Sequence, residues 1–196
     1  MKEIPEYPVI GSDFSSIEGT RRYCSPEAAG TIREAVGRLP LKAVHLIGTG
    51  DYHYVSLFWL ERIREPFILY LFDHHPDNQP GAFSEDMLSC GNWAGDAVKL
   101  PLCKGMRWIK EASDYREAQG NVYLSIDLDV LSGKYARTNW DQGDMTLSEI
   151  CASIMDIREK GNLLGADICG GLDGCEDLNA GTMETLCRTI NGYGLQ

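Results

Sequence analysis

Residues 69–79 read LYLFDHHPDNQ, an apolar run that passes directly into carboxylates and imidazoles. If the chain stays extended beyond Phe72, then Asp73, His75 and Asp77 face one side and His74 and Pro76 the other, because successive side chains of a strand alternate. That is a one-sided D-x-H-x-D set of metal-ligand types. Two more clusters share the character: residues 44–47 lead into Gly50-Asp51-Tyr52-His53, and residues 122–126 lead into Asp127-Leu128-Asp129. A lone D-x-D is commonplace in solvated loops. A histidine, a D-x-H-x-D and a D-x-D, each ending an apparent strand, converge on one sheet edge if the three strands lie side by side. Uncompensated carboxylates brought together this way raise each other's pKa, and a bound cation is the simplest relief.

The positioning elements follow from pattern. Residues 66–72 are uniformly apolar over strand length, as expected of a strand covered on both faces in a parallel sheet, and α/β proteins place their chemistry at the carboxyl ends of such strands. Residues 1–24 read as an irregular arm. Ser25-Pro26-Glu27 opens a helix with a cap, a first-turn proline and an acid at the positive end, running to about Arg38. A strand at 43–47 precedes a helix over 52–64 that carries Val55, Phe58, Trp59 and Ile63 on one stripe. The long segment 78–91 is expected to line the site. A helix at 92–100, strands at 106–109 and 122–126, a loop at 130–145, a capped helix at 146–159, a strand at 163–169 and a helix at 179–190 complete the chain. This alternation implies one domain over residues 1–196, an α/β fold with helices on both faces of a parallel sheet.

The three clusters resemble the metal motifs of the ureohydrolase superfamily, the arginase, agmatinase and formiminoglutamase group of dinuclear manganese hydrolases. Its G-G-D-H, D-A-H-x-D and S-x-D-x-D-x-x-D motifs are similar to residues 50–53, 73–77 and 125–132. Residues 142–149, QGDMTLSE, are similar to its P-G-G-L-T-x-R-E, and residues 164–168, LGADI, to its G-L-D-I. The resemblance implies a three-layer α/β/α, arginase-like fold with a mainly parallel sheet, shortened at the periphery because the family's domain is longer. It implies one divalent ion held by His53, Asp73, Asp77 and Asp127 and a second held by Asp73, His75, Asp127 and Asp129, with Asp73 and Asp127 bridging. Manganese suits such carboxylate-rich sites, and two ions sharing a water can aim it at an sp² carbon. Asp127 and Glu149 are the candidate catalytic residues. Asn92 is the candidate substrate-binding residue.

Two positions depart from the family. Residues 89–95, SCGNWAG, look like arginase's S-G-N-x-H-G, but Ala94 stands where the proton-shuttling histidine would be. Asp167-Ile168-Cys169-Gly170 resembles D-I-M-E, yet Gly170 replaces the glutamate that grips the guanidinium. The implied function is therefore hydrolysis of a linear C–N bond other than that of arginine, on a small-molecule substrate, with Glu149 or Glu176 as a replacement acid. One alternative is a metal-binding arginase-like protein without catalysis. Another takes Asp73-His74-His75 as the signature of DHH phosphoesterases, although their D-x-D lies upstream of the triplet and not downstream as here.

Composition narrows the classes. At 196 residues and 43% hydrophobic content, the chain can bury about 70% of its unfolded surface as one domain. The net charge of −11 argues against nucleic acid or an anionic membrane as partner. The seven cysteines lack a C-x-x-C pair and are expected to be reduced thiols. With no signal-like N-terminus and no apolar stretch near the ~18 residues a membrane span needs, a soluble cytoplasmic protein is expected. Homo-oligomerisation is left open.

Overall fold

The run from Phe67 to Phe72 is an interior strand, one in from the edge, of a six-stranded sheet in which every neighbouring pair is parallel. The structure is a computed structural model, and it describes residues 6–80, 87–172 and 175–193. The sheet strands are β1 (Val9–Gly11), β3 (Val44–Leu46), β4 (Phe67–Phe72), β6 (Cys103–Ile109), β7 (Gly120–Asp127) and β8 (Gly161–Cys169), in the spatial order β1-β3-β8-β7-β4-β6. Two short strands, β2 (Tyr23–Cys24) and β5 (Leu88–Ser89), form a separate antiparallel ribbon.

Helices cover both faces. On one side α1 (Pro26–Gly37), α2 (Val55–Leu60) and α3 (Trp93–Ala97) pack Ile32, Val36, Phe58, Trp59 and Trp93 onto Phe67, Leu69, Leu71 and Tyr123. On the other, α4 (Leu147–Lys160) and α5 (Glu176–Ile190) pack Ile150, Ile154, Ile157, Leu186 and Ile190 onto Tyr70, Phe72, Val122, Leu124 and Ile126. Each such side chain contributes about 1.5–3 kcal/mol on burial. The three-layer α/β/α arrangement expected from the sequence is thus present. Among the described residues no helix is long and apolar enough to cross a membrane.

Several boundaries differ from expectation. The helix at 52–64 is a 3-10 turn at Gly50–Tyr52 followed by α2; its first turn is given over to aiming Asp51 and His53, and the chain must turn after Leu60 to enter β4 through Pro66. The arm at 6–24 contains β1 and β2, too short to carry a period. Part of the loop at 78–91 lies outside the described residues. The three ligand-bearing strands do not lie side by side, because β8 inserts between β3 and β7.

Candidate metal centre

Strand parity decides which side chains meet. Leu69, Leu71 and the next alternate residue, Asp73, face α1–α3, as do Tyr123, Ser125 and Asp127 of β7. In register, His45 pairs with Asp167, Asp167 with Ser125 and Ser125 with Leu71; one step on, Asp127 pairs with Cys169. Two successive rows on one face of the sheet thereby become polar just where the strands end. His53 enters from the turn after β3, its N–H bonded to Gly50 O.

Around His53 the donors converge. Its Nδ1 lies 3.1 Å from Asp73 Oδ2, 3.2 Å from Asp77 Oδ2 and 3.5 Å from Asp127 Oδ2. On its far side Nε2 is 2.9 Å from Ser125 Oγ, which donates to Asp167 Oδ1 at 2.6 Å. Since the serine proton goes to Asp167, Ser125 accepts from Nε2–H, so that Nδ1 is the nitrogen that faces the three carboxylates and would be bare in the neutral ring. Nδ1 and Asp73 Oδ2 are both buried without a hydrogen-bond partner among the described residues. Asp77 is held by the Trp93 indole, Nε1 to Oδ2 2.7 Å, and the Trp93 ring packs 4.7 Å from that of His53.

A second group shares Asp73. The Asp73, His75 and Asp129 donor atoms lie within 4.8 Å of one another, with His75 Nδ1 2.9 Å from Asp129 Oδ2. The D-x-H-x-D segment is not the continued strand expected from alternation. Asp73 Oδ1 accepts the His75 backbone N–H at 2.7 Å, a carboxylate-to-backbone turn, and Asp77 adopts a left-handed backbone, φ 44°. All three ligands still arrive, by curling and not by extension. His74 stays outside both donor groups. Its backbone N–H donates to Asp129 Oδ1 at 3.0 Å, and its ring packs beside Gly143, where a Cβ would meet Val130 O at 2.6 Å and His74 Nδ1 at 3.1 Å.

The electrostatics are those of a site built for positive charge. Burial and then the charge of Asp129 push the Asp127 carboxyl up to about 7. Burial and repulsion from Asp77 hold Asp73 well above the ordinary range. For His53 burial opposes the cation, but Cys169, Asp73 and Asp77 outweigh it and hold the imidazole well above 6.5. Such a cluster must gather protons or a cation. The donor spacing fits a cation: ligand atoms sharing one octahedral ion at about 2.1 Å stand about 3 Å apart. Imidazole nitrogen and carboxylate oxygen are also the right chemistry, so the residues present fit divalent metal.

No protein-family model matches the sequence. An uncharacterized protein of Thermotoga maritima is 33% identical over 178 residues, covering 82% of this chain and 70% of that protein, so the two belong to one family. Among solved structures, the proclavaminate amidino hydrolase of Streptomyces clavuligerus superposes with a TM-score of 0.67 at 17% identity, over 97% of this chain and 93% of that one. The arginase of Bacillus caldovelox gives 0.63 at 14%, over 91% and 80%. A hypothetical agmatinase from Burkholderia thailandensis gives 0.62 at 18%, over 85% of this chain and 64% of that one, so the chain spans just under two thirds of that protein. The fold is that of the ureohydrolase superfamily.

Within this ureohydrolase fold, all six expected metal ligands, His53, Asp73, His75, Asp77, Asp127 and Asp129, come together. Two other candidates do not join them. Asn92 ties its amide to the neighbouring loop, accepting from Ser89 N at 2.7 Å and donating to Met87 O at 2.8 Å, which makes it a clasp of that loop. Glu149 is exposed at the start of α4, where it closes a capping box with the Thr146 N–H and hydroxyl at 2.8 and 2.7 Å. Its placement is that of a helix cap. The side chain of Glu176 lies outside the described residues.

A cavity of about 410 Å³ opens onto the donors, with Arg22, Tyr23, Cys90, Trp140 and Asp141 in its wall. The Arg22 guanidinium lies 5.3 Å from the Trp140 ring centre, and its Nε is 3.3 Å from buried Asp51. Asp51 also takes Arg21 Nε at 3.3 Å and Asn139 Nδ2 at 3.0 Å, tying the arm, the β3 loop and the 139–141 loop into one wall. Gly170 has φ 100°, and a Cβ there would meet Asp127 Oδ1 at 2.3 Å. Ala94 is buried in α3, where its N–H bonds Asp77 O at 3.0 Å. Sequence reasoning overlooked the Ser125–Asp167 pair as the orienter of His53, although both lie inside quoted motifs. It overlooked Trp93, Arg22 and Trp140, which carry no spacing signal, and grouped Cys169 with the cysteines expected to be reduced thiols.

Proposed function

We propose that this protein is a metal-dependent hydrolase of a linear C–N bond in a small molecule, with arginine itself excluded as substrate. The observation that carries the reading is the buried His53 Nδ1, unpartnered among three carboxylate oxygens and sharing Asp73 with a second donor group at the floor of an open cavity. His53, Asp73, Asp77 and Asp127 would hold one divalent ion, and Asp73, His75, Asp129 and Asp127 the other. Manganese suits the oxygen-rich outer group. Bound there, the ions supply Lewis acidity and a water of lowered pKa.

The chain's own residues do the rest. Asp167, through Ser125, fixes the tautomer and aim of His53, the kind of outer-shell support that keeps a ligand in register. Trp93 fixes Asp77, and the His75 backbone fixes Asp73. The wall that includes Arg22 and Trp140, with Asp51 bracing Arg22, bounds the substrate space. Gly170 leaves no side chain to pair with a guanidinium, and Ala94 no side chain to carry a proton.

The test is a screen of stripped and metal-loaded protein against guanidines, ureas, formimino compounds and acyl amines. Metal-dependent release of ammonia, urea or amine from one class supports the reading. Two bound ions with no turnover across all four classes would instead support the second reading, a metal-binding protein without catalysis, which Ala94 and Gly170 favour. The phosphoesterase alternative is without support from the fold, and Arg22 is the only Lys or Arg in the described cavity wall.

A further inference from the structure

Cys169 is the last residue of β8 and is buried opposite Asp127. Its Sγ lies 3.1 Å from Asp127 Oδ2, the same oxygen that stands 3.5 Å from His53 Nδ1. The donor atoms of His53, Asp127 and Cys169 fall within 4.8 Å of one another, as do those of His53, Asp73 and Asp77. The sulfur is thus joined through Asp127 Oδ2 to His53 Nδ1, which is buried and unpartnered among the described residues. The backbone just after it is pinned: Gly170 N–H bonds Gly48 O at 2.9 Å, and at the positive φ of Gly170 a Cβ would meet Asp127 Oδ1 at 2.3 Å, so that no side chain fits there.

We propose that Cys169 is a sulfur ligand of the inner ion, making the His53 site a mixed imidazole, carboxylate and thiolate site that prefers zinc to manganese. The inference rests on the metal-centre reading above. Manganese is poorly matched to thiolate, whereas zinc binds Cys, His and carboxylate together. The outer group, Asp73, His75 and Asp129, has no sulfur and keeps the oxygen-rich character that suits manganese. On binding, the sulfur lone pair goes to the ion and the thiol proton leaves to solvent; nothing is oxidised or reduced. Cys90, unlike Cys169, lines the cavity but belongs to none of the donor groups among the described residues.

Cobalt reports the ligand directly. Cobalt-loaded wild type should show visible ligand-field bands together with a near-ultraviolet thiolate-to-cobalt charge-transfer band. Cys169→Ser should keep the visible bands and lose the charge-transfer band, and Cys90→Ser should keep both. From an equimolar mixture, the ratio of zinc to manganese retained by Cys169→Ser should fall about tenfold or more below wild type. Visible bands without charge transfer in wild type overturn the inference and leave the metal centre standing, as does a charge-transfer band that survives in Cys169→Ser. Failure to bind cobalt at all overturns both. Should Cys169→Ser not fold, X-ray absorption of zinc-loaded wild type decides: a Zn–S distance of about 2.3 Å supports the assignment, and a shell of only nitrogen and oxygen at about 2.0–2.2 Å overturns it.

Discussion

Stripping the protein with a chelator should invert its response to pH. In the metal-free native state Asp127, Asp73 and His53 all carry raised pKa values, so that state binds more protons than the unfolded chain and must lose stability as pH rises. For Asp127 the window runs from the ordinary 3.8 to about 7. For His53 the contribution is full below the unfolded value of 6.5 and is lost as pH climbs through the higher folded value. Within its window Asp127 alone costs about 1.4 kcal/mol per pH unit, or about 2 kcal/mol between pH 5.5 and 7. For a chain of this size that lowers Tm by about 4–8 °C. Differential scanning fluorimetry at matched ionic strength is sufficient to see it. Adding manganese or zinc should reverse the slope, since the ions displace the protons and bind the deprotonated ligands better as pH rises. Asp127→Asn should flatten the metal-free slope. A metal-free Tm that is level or rising over this interval would refute the charge reasoning, because the burial and crowding that raise these groups leave no other sign.

Four further outcomes follow. Asp127→Asn should retain fewer ions by elemental analysis than His75→Ala, which loses one, whereas His74→Ala should retain both, because its ring lies outside both donor groups. Trp93→Phe removes the donor to Asp77 Oδ2 and should weaken metal affinity about 10–100-fold by competitive chelation, while keeping the fold by its similar bulk. Glu149→Ala should cost about 0.5 kcal/mol in urea melts through the lost cap with unchanged metal content; a loss of metal would return Glu149 to the site. Arginine should release no urea from loaded protein, and Gly170→Glu should fail to restore the activity and should reduce stability, since its Cβ would stand 2.3 Å from Asp127 Oδ1 at a positive φ; arginine turnover by either protein would refute the reading of Gly170.

The convergence of the candidate ligands was legible in sequence because each cluster is local. Carboxylates and imidazoles at the ends of uniformly apolar runs declare a sheet edge, and strand alternation alone places Asp73 and Asp127 on the same face as the buried Leu71 and Ser125. The layered fold was legible for the same reason, since alternating strand and helix patterns leave few ways to cover a parallel sheet. Asp73, His75 and Asp77 were correctly grouped although the extended conformation assumed for them is wrong, because a curled loop anchored at Asp73 delivers the same side chains. Asn92 and Glu149 were assigned by motif match, and the geometry adds what sequence did not show: each engages a short-range backbone partner with its polar end. The insertion of β8 between β3 and β7 was decided only by tertiary structure, because strand order depends on contacts between segments more than 100 residues apart, such as His45 with Asp167. From that one insertion come Asp167 behind His53, Cys169 beside Asp127 and Gly170 against its carboxylate, none of which any local pattern in the chain encodes.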